Sequence, residues 1–205
     1  MKYLDFRKEF FVRACFHLNQ IYTWQPEFDR KNLTRWIKKG YIFRLKQSFY
    51  AFCEYLSKPD YAFYFANKMY LPSYISLHSA LSFYGMIPES VVQITSVTSR
   101  KPTNFKNDMG EFSYRSVKQN IMFGYDLKSI SDGRTIKLAY PEKAILDLLY
   151  LYPFYNSEQD FLDLRINSDF LNHEFNAKLL MDYCKIVNNN ALKKRIREFL
   201  KTYKL

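Results

Sequence analysis

Lys31, Thr34, Arg35 and Lys38 recur along the chain at the spacing of one helix face. Their groups suit a polyanion. Arginine can bond guanine bidentately in a major groove, and asparagine or glutamine can bond adenine. Lysine and arginine also neutralise phosphates, with displacement of counterions. Leu33, Trp36, Ile37 and Gly40 repeat with the same interval two places later. Two places is about 200° around a helix of roughly 3.6 residues per turn. The sequence therefore predicts a helix over 30–39 with an apolar face and a basic face opposite. Arg35 and Lys31 are the base-edge candidates, with Asn32 and Thr34 behind them, while Arg30, Lys38 and Lys39 are better placed for phosphates. A solvated helix face is the bland alternative.

The segment after Gly40 changes period. Tyr41, Phe43 and Leu45 alternate with Ile42, Arg44 and Lys46, which predicts a strand. Lys46-Gln47-Ser48 can turn the chain, and Phe49 to Phe52 can return as a second strand. Arg44, Lys46, Gln47 and Tyr50 would then supply backbone contacts to DNA, which fix position but carry little sequence information. A basic edge hairpin protected by its charge is the alternative.

Other reactive groups point to no catalytic residue. His17, His78 and His173 stand at no metal-ligand spacing with a Cys or another His, so no metal site is expected. No GxSxG, P-loop or GxGxxG occurs, and five glycines leave little material for a phosphate cradle. No cofactor is expected. In AYPEKAILDLL (139–149), two carboxylates, Glu142 and Asp147, flank Lys143. Some metal nucleases use such a set, with Asp108, Glu111 and Asp126 as conceivable companions. The stronger reading is structural, with Glu142 at a helix N-terminus and Lys143–Asp147 as a surface pair one turn apart. The last helix carries Lys194, Arg197, Lys201 and Lys204 beside an apolar stripe, read as a packed helix with a wet basic back.

The elements that must hold these groups follow from pattern. Residues 3–14 and 17–23 read as helices, with Asp29 as N-cap of the basic helix. Helix, helix, basic helix and hairpin is the order of a winged helix-turn-helix. LSKPD at 56–60 reads as a linker. Helices are expected at 61–70 and 76–84, with Ser73 or Ser76 as a cap. Strands are expected at 91–98, 111–117, 121–125 and 135–139, joined by turns in an antiparallel sheet. Helices at 141–152, 158–166, 175–187 and 190–203 complete the chain, the first with Pro141 in its first turn. The fold class is thus α+β. A winged helix-turn-helix over 1–56 precedes a sheet-containing domain over 57–205 with a helical tail from 156.

The 205 residues carry a net charge of +11. Residues 1–60 hold 12 basic and 6 acidic side chains, so more than half of the surplus lies in under a third of the chain. This favours a polyanionic partner. Aromatic residues make up 19%, with 18 Tyr and 19 Phe, read as core filling rather than a platform for bases. The start lacks a signal-peptide apolar run, and no segment reaches the roughly 20 apolar residues of a membrane span. No membrane partner is expected. Three scattered cysteines, Cys15, Cys53 and Cys184, suggest reduced thiols and a cytoplasmic protein.

Several blocks in order resemble the AbiEi family of antitoxins, of type IV toxin–antitoxin and abortive-infection systems. They are LTRWIKKGYIFRLKQSFYAF (33–52), PSYISLHSALSFYGMIPE (72–89), ITSVTSRKPTNF (94–105), GEFSYRSVKQNIMFGY (110–125) and AYPEKAILDLLYL (139–151). LDLR (162–165) and the helical tail are similar less specifically. The resemblance implies an N-terminal winged helix that binds double-stranded operator DNA and represses its own operon. It also implies a C-terminal domain that opposes a nucleotidyltransferase-like toxin without forming a stable complex. By position, Lys31, Arg35, Lys38, Lys39, Arg44, Lys46 and Tyr50 fall in the family's DNA-binding segment. The family's hairpin commonly reads Arg-Gly where this chain has Gln47 and Ser48, a change also compatible with an orphan regulator. Two rivals are a protein-interaction module and a metal-dependent nuclease using Glu142 or Asp147.

Overall fold

Aromatic side chains at helical spacing organise the first fifty residues. A computed structural model describes residues 2–58, 60–88 and 93–205. Helix α1 (Tyr3–Phe10) buries Phe6 and Phe10 completely. Phe6 packs against Phe16, Trp36 and Phe52, with ring centres 5.0, 4.6 and 5.9 Å away. The expected helix over 3–14 is shorter than its pattern. It gives way to a 3-10 turn at Phe11–Arg13, and Ala14 takes φ +61 to swing the chain into strand β1 (Cys15–His17).

Three residues are too few for alternation to register, so β1 was not foreseen. Helix α2 (Leu18–Trp24) follows directly. His17 accepts from the Asn19 N–H at 3.1 Å, and the Gln20 side chain accepts from the His17 N–H at 2.7 Å. Helix α3 (Lys31–Lys38), β2 (Ile42–Lys46) and β3 (Phe49–Phe52) complete a three-stranded antiparallel sheet of order β1-β3-β2.

A second sheet of six strands forms from β4 (Ser73–Ile75), β5 (Gln93–Thr98), β6 (Thr103–Asn107), β7 (Gly110–Ser116), β8 (Tyr125–Ser129) and β9 (Thr135–Ala139), in the order β6-β7-β5-β4-β9-β8. It is mixed, which corrects the antiparallel expectation. The β6–β7 hairpin folds back so that β7 lies parallel to β5, and β4 pairs parallel with β9. The expectation failed because β4 and β6 were missing from it. All three β4 residues are buried, so they show no polar alternation, and KPTNFKNDMG contains a strand before its turn. The strand expected at 121–125 starts only at Tyr125, after a 3-10 turn at Gln119–Ile121. Gly124 at φ +71 makes the bend, and a Cβ there would come within 3.0 Å of the Lys143 side chain. Val91 and Val92, the first part of the strand expected at 91–98, lie outside the described residues.

Helices α4 (Tyr61–Met69) and α5 (Leu77–Phe83) stand close to their expected bounds. So do α6 (Pro141–Leu151), α9 (Ala177–Val187) and α10 (Asn190–Thr202). Helix α7 (Glu158–Leu162) is shorter than expected, with Arg165 at φ +51. A further helix, α8 (Ser168–His173), then starts on Asn167, whose side chain accepts from the Asp169 and Phe170 N–H groups. The architecture is α+β with a mixed sheet and a helical C-terminus. Buried side chains form one cluster that continues across residue 56. Phe43 packs on Phe65, Tyr55 stacks on Tyr61, and Asn107 donates to the Leu45 carbonyl at 3.0 Å. No helix among the described residues is long and apolar enough to cross a membrane.

Candidate nucleic-acid interface

The basic helix is held at both ends by local chemistry. Asp29 accepts from the Lys31 N–H at 2.9 Å, which satisfies one of the free donors at the start of α3. At the other end Gly40 sits at φ +68, its N–H donating to Ile37 O and that of Tyr41 to Trp36 O at 2.9 Å. This pairing ends a helix through a left-handed residue, a conformation glycine takes without steric cost. Leu33 and Trp36 are buried and Ile37 packs against the core. Trp36 meets Phe6, Phe28 and Tyr3 with ring centres 4.6–5.9 Å away.

The opposite face carries the charge outward. Arg30, Lys31, Thr34, Arg35, Lys38 and Lys39 are exposed. Asn32 is half-buried and accepts from the Arg35 guanidinium at 3.3 Å, which holds that side chain along the helix. Among the described residues no carboxylate forms a salt bridge with any cation of this face or with Arg44. Cations without a carboxylate partner remain available for an external anion.

The hairpin divides its expected contacts. Arg44 is exposed and Gln47 is exposed at the turn. Ser48 takes φ +59, and its carbonyl accepts from the Leu18 N–H at 2.8 Å. Ser48 thus adopts a backbone conformation that Gly favours.

Tyr50 does not face outward, which corrects its reading as a DNA contact: it is 1% exposed and packs against Phe16. As the cross-strand partner of Arg44, it forms the floor beneath the guanidinium.

Lys46 is half-buried, with its ammonium 5.5 Å from the Phe105 ring centre and 5.9 Å from that of Tyr70. Burial and the nearby Arg100 charge lower its pKa. Sequence reading missed Arg100, whose guanidinium lies 5.1 Å from the same Tyr70 ring. No local pattern links two cations 54 positions apart (Lys46 and Arg100).

The acidic groups of AYPEKAILDLL serve the interior. Lys143 and Asp147 are both fully buried, so their pair is not a surface one. Their charges meet directly, and the Lys143 ammonium also donates to the Tyr74 hydroxyl at 2.7 Å. Asp147 accepts from Tyr74 at 2.9 Å and from Ser76 at 2.7 Å. Ser76 precedes α5, but its hydroxyl is spent on Asp147 rather than on capping. Burial lowers the Lys143 pKa against the pull of Asp147, and it raises that of Tyr74, reinforced by Asp147. Glu142 is 4% exposed and accepts from the Asn176 N–H at 2.8 Å, tying α6 to the start of α9. Among the described residues, no three His, Cys, Asp or Glu side chains converge where they could hold a metal ion.

No protein-family model matches this chain, and comparison with curated proteins found no match.

Proposed function

We propose that this chain is a DNA-binding transcriptional regulator that reads duplex DNA with α3. The observation that carries the proposal is the α3 ridge: exposed Lys31, Thr34, Arg35 and Lys38, unpaired with any carboxylate among the described residues, backed by buried Leu33 and Trp36. In a helix-turn-helix the second helix lies in the major groove while the first crosses the backbone. Here α2 and α3 would be that pair. The order α1-β1-α2-α3-β2-β3, with β1 beside β3, supports reading residues 1–56 as a winged helix-turn-helix.

Arg35 and Lys31 would read base edges, with Thr34 and Asn32 near them. Arg30, Lys38, Lys39, Arg44 and Gln47 would meet the phosphate backbone. Together with the resemblance to AbiEi antitoxins, this gives a specific reading. The chain would repress its own operon, and residues 57–205 would oppose a nucleotidyltransferase-like toxin encoded alongside. Fully buried Asp147 and nearly buried Glu142 weigh against the nuclease rival, since neither side chain is open to a substrate phosphate.

The direct test is a gel shift of the full chain on the duplex upstream of its own gene, beside a scrambled duplex of equal length. Retention of the upstream duplex alone at moderate salt supports the proposal, and no retention even at low salt overturns it. The antitoxin part is tested by co-expression: growth arrest by the adjacent toxin should be relieved by the full chain, and continued arrest overturns that part.

A further inference from the structure

Helices α9 and α10 enclose a cavity of about 320 Å³ at their junction. Cations from both helices line it: Lys185 from α9, and Lys193 and Arg197 one turn apart on α10. Three consecutive asparagines, residues 188–190, and buried Cys184 also line it. The junction is well fixed. Asn188 is left-handed at φ +49, and the Asn189 side chain accepts from the Leu192 N–H at 2.9 Å.

Of the three cations that converge on this cavity, one is neutralised internally. Lys185 pairs with Asp182 at 2.8 Å. Among the described residues, Lys193 and Arg197 form no salt bridge. Both act on the Cys184 thiol, lowering its pKa against the larger effect of burial. A shallower neighbouring cavity shares Asn190, Lys193 and Arg197 and adds Lys194, with Glu198 as its acidic side chain.

Two unpaired cations match a dianion better than a carboxylate. A phosphate monoester carries about two charges and three strong acceptor oxygens. Cavities that take small molecules start at roughly 300 Å³, so there is room for the phosphate and a group of sugar or nucleoside size. We propose that this cavity binds the phosphate of a small phosphate monoester, with Lys193 and Arg197 clamping the dianion and the asparagine carboxamides completing its hydrogen bonds. This site is separate from α3 and does not rest on DNA binding.

Isothermal calorimetry on the full chain, in phosphate-free buffer, tests it with inorganic phosphate, adenosine monophosphate and adenosine. Phosphate and the monophosphate should bind saturably and adenosine should not. The K193Q/R197Q variant changes only exposed side chains and should keep the wild-type melting temperature. It should bind the monophosphate at least about tenfold more weakly, the expected loss from removing a charged hydrogen bond. No saturable binding in the millimolar range, or equal binding by the variant, overturns the proposal. So does a result in which a short DNA duplex displaces the monophosphate and the variant loses duplex affinity, because the phosphates then belong to nucleic acid.

Discussion

Arg44 and Tyr50 face each other across the β2–β3 hairpin, the guanidinium carbon lying 5.9 Å from the ring centre. One side chain is exposed and the other buried, so the two should fail in different ways. Arg44→Ala should leave stability within about 0.5 kcal/mol of wild type, as for surface changes in general. It should lower the salt slope of DNA binding by about one. Tyr50→Ala empties a core position and should cost roughly 3–5 kcal/mol. Denaturant titration and salt-dependent binding, run on both variants, separate these effects. Loss of salt slope in a fully stable Tyr50→Ala variant would contradict the assignment.

The Lys143–Asp147 pair gives a second prediction. Removing one member of a buried ion pair leaves the other uncompensated, at a cost of about 3–5 kcal/mol. Asp147→Ala should therefore unfold at markedly lower denaturant. K143M/D147L removes both charges and should recover most of that loss, even with Tyr74 and Ser76 left without their acceptor. An Asp147→Ala protein as stable as wild type would show that the pair is not buried as described.

Ser48 holds a left-handed conformation at φ +59. That region costs an L-residue about 1–2 kcal/mol, and glycine occupies it freely. Ser48→Gly should stabilise the chain by up to about 1 kcal/mol, the gain being reduced by the greater freedom of glycine when unfolded. Gly40→Ala, at φ +68, should destabilise it. Thermal melts check both signs together, and the reverse pattern would refute the turn geometry.

Tyrosines predict the behaviour in base. Burial raises Tyr61 to about 12, opposed by Arg134, and raises Tyr3 to about 12 with help from Glu54. Tyr84 is also raised by burial to about 12. A raised acid pKa means that the folded chain keeps protons the unfolded chain would release. The resulting stability is present below about pH 10, the value of free tyrosine, and is lost as pH climbs through about 12. Phenolate absorbance and circular dichroism followed together should show these residues ionising late and as the fold is lost. Their ionisation near pH 10 in an intact fold would contradict the burial.

The basic helix and hairpin were legible because each carries a period. Lys31, Arg35 and Lys38 opposite Leu33 and Trp36 announce an amphipathic helix. Gly40 marks its end. Strands of three residues, β1 and β4, carry no period, and β4 is buried throughout. The mixed sheet depends on which distant strands become neighbours, and local pattern does not encode that. Within the interface, alternation placed Arg44 correctly outward. It could not place Lys46, whose surroundings are set by Tyr70, Arg100 and Phe105. Lys143–Asp147 illustrates the same limit, since the spacing of an exposed pair and of a buried one is identical.

The central claim is that the α3 ridge reads a DNA sequence. Fluorescence anisotropy at several salt concentrations, on the upstream duplex and on a scrambled one, tests it with Arg35→Ala beside wild type. The account predicts that Arg35→Ala loses roughly 1–3 kcal/mol on the upstream duplex alone, the worth of one bidentate base contact. Equal loss on both duplexes, or no change on either, would contradict it.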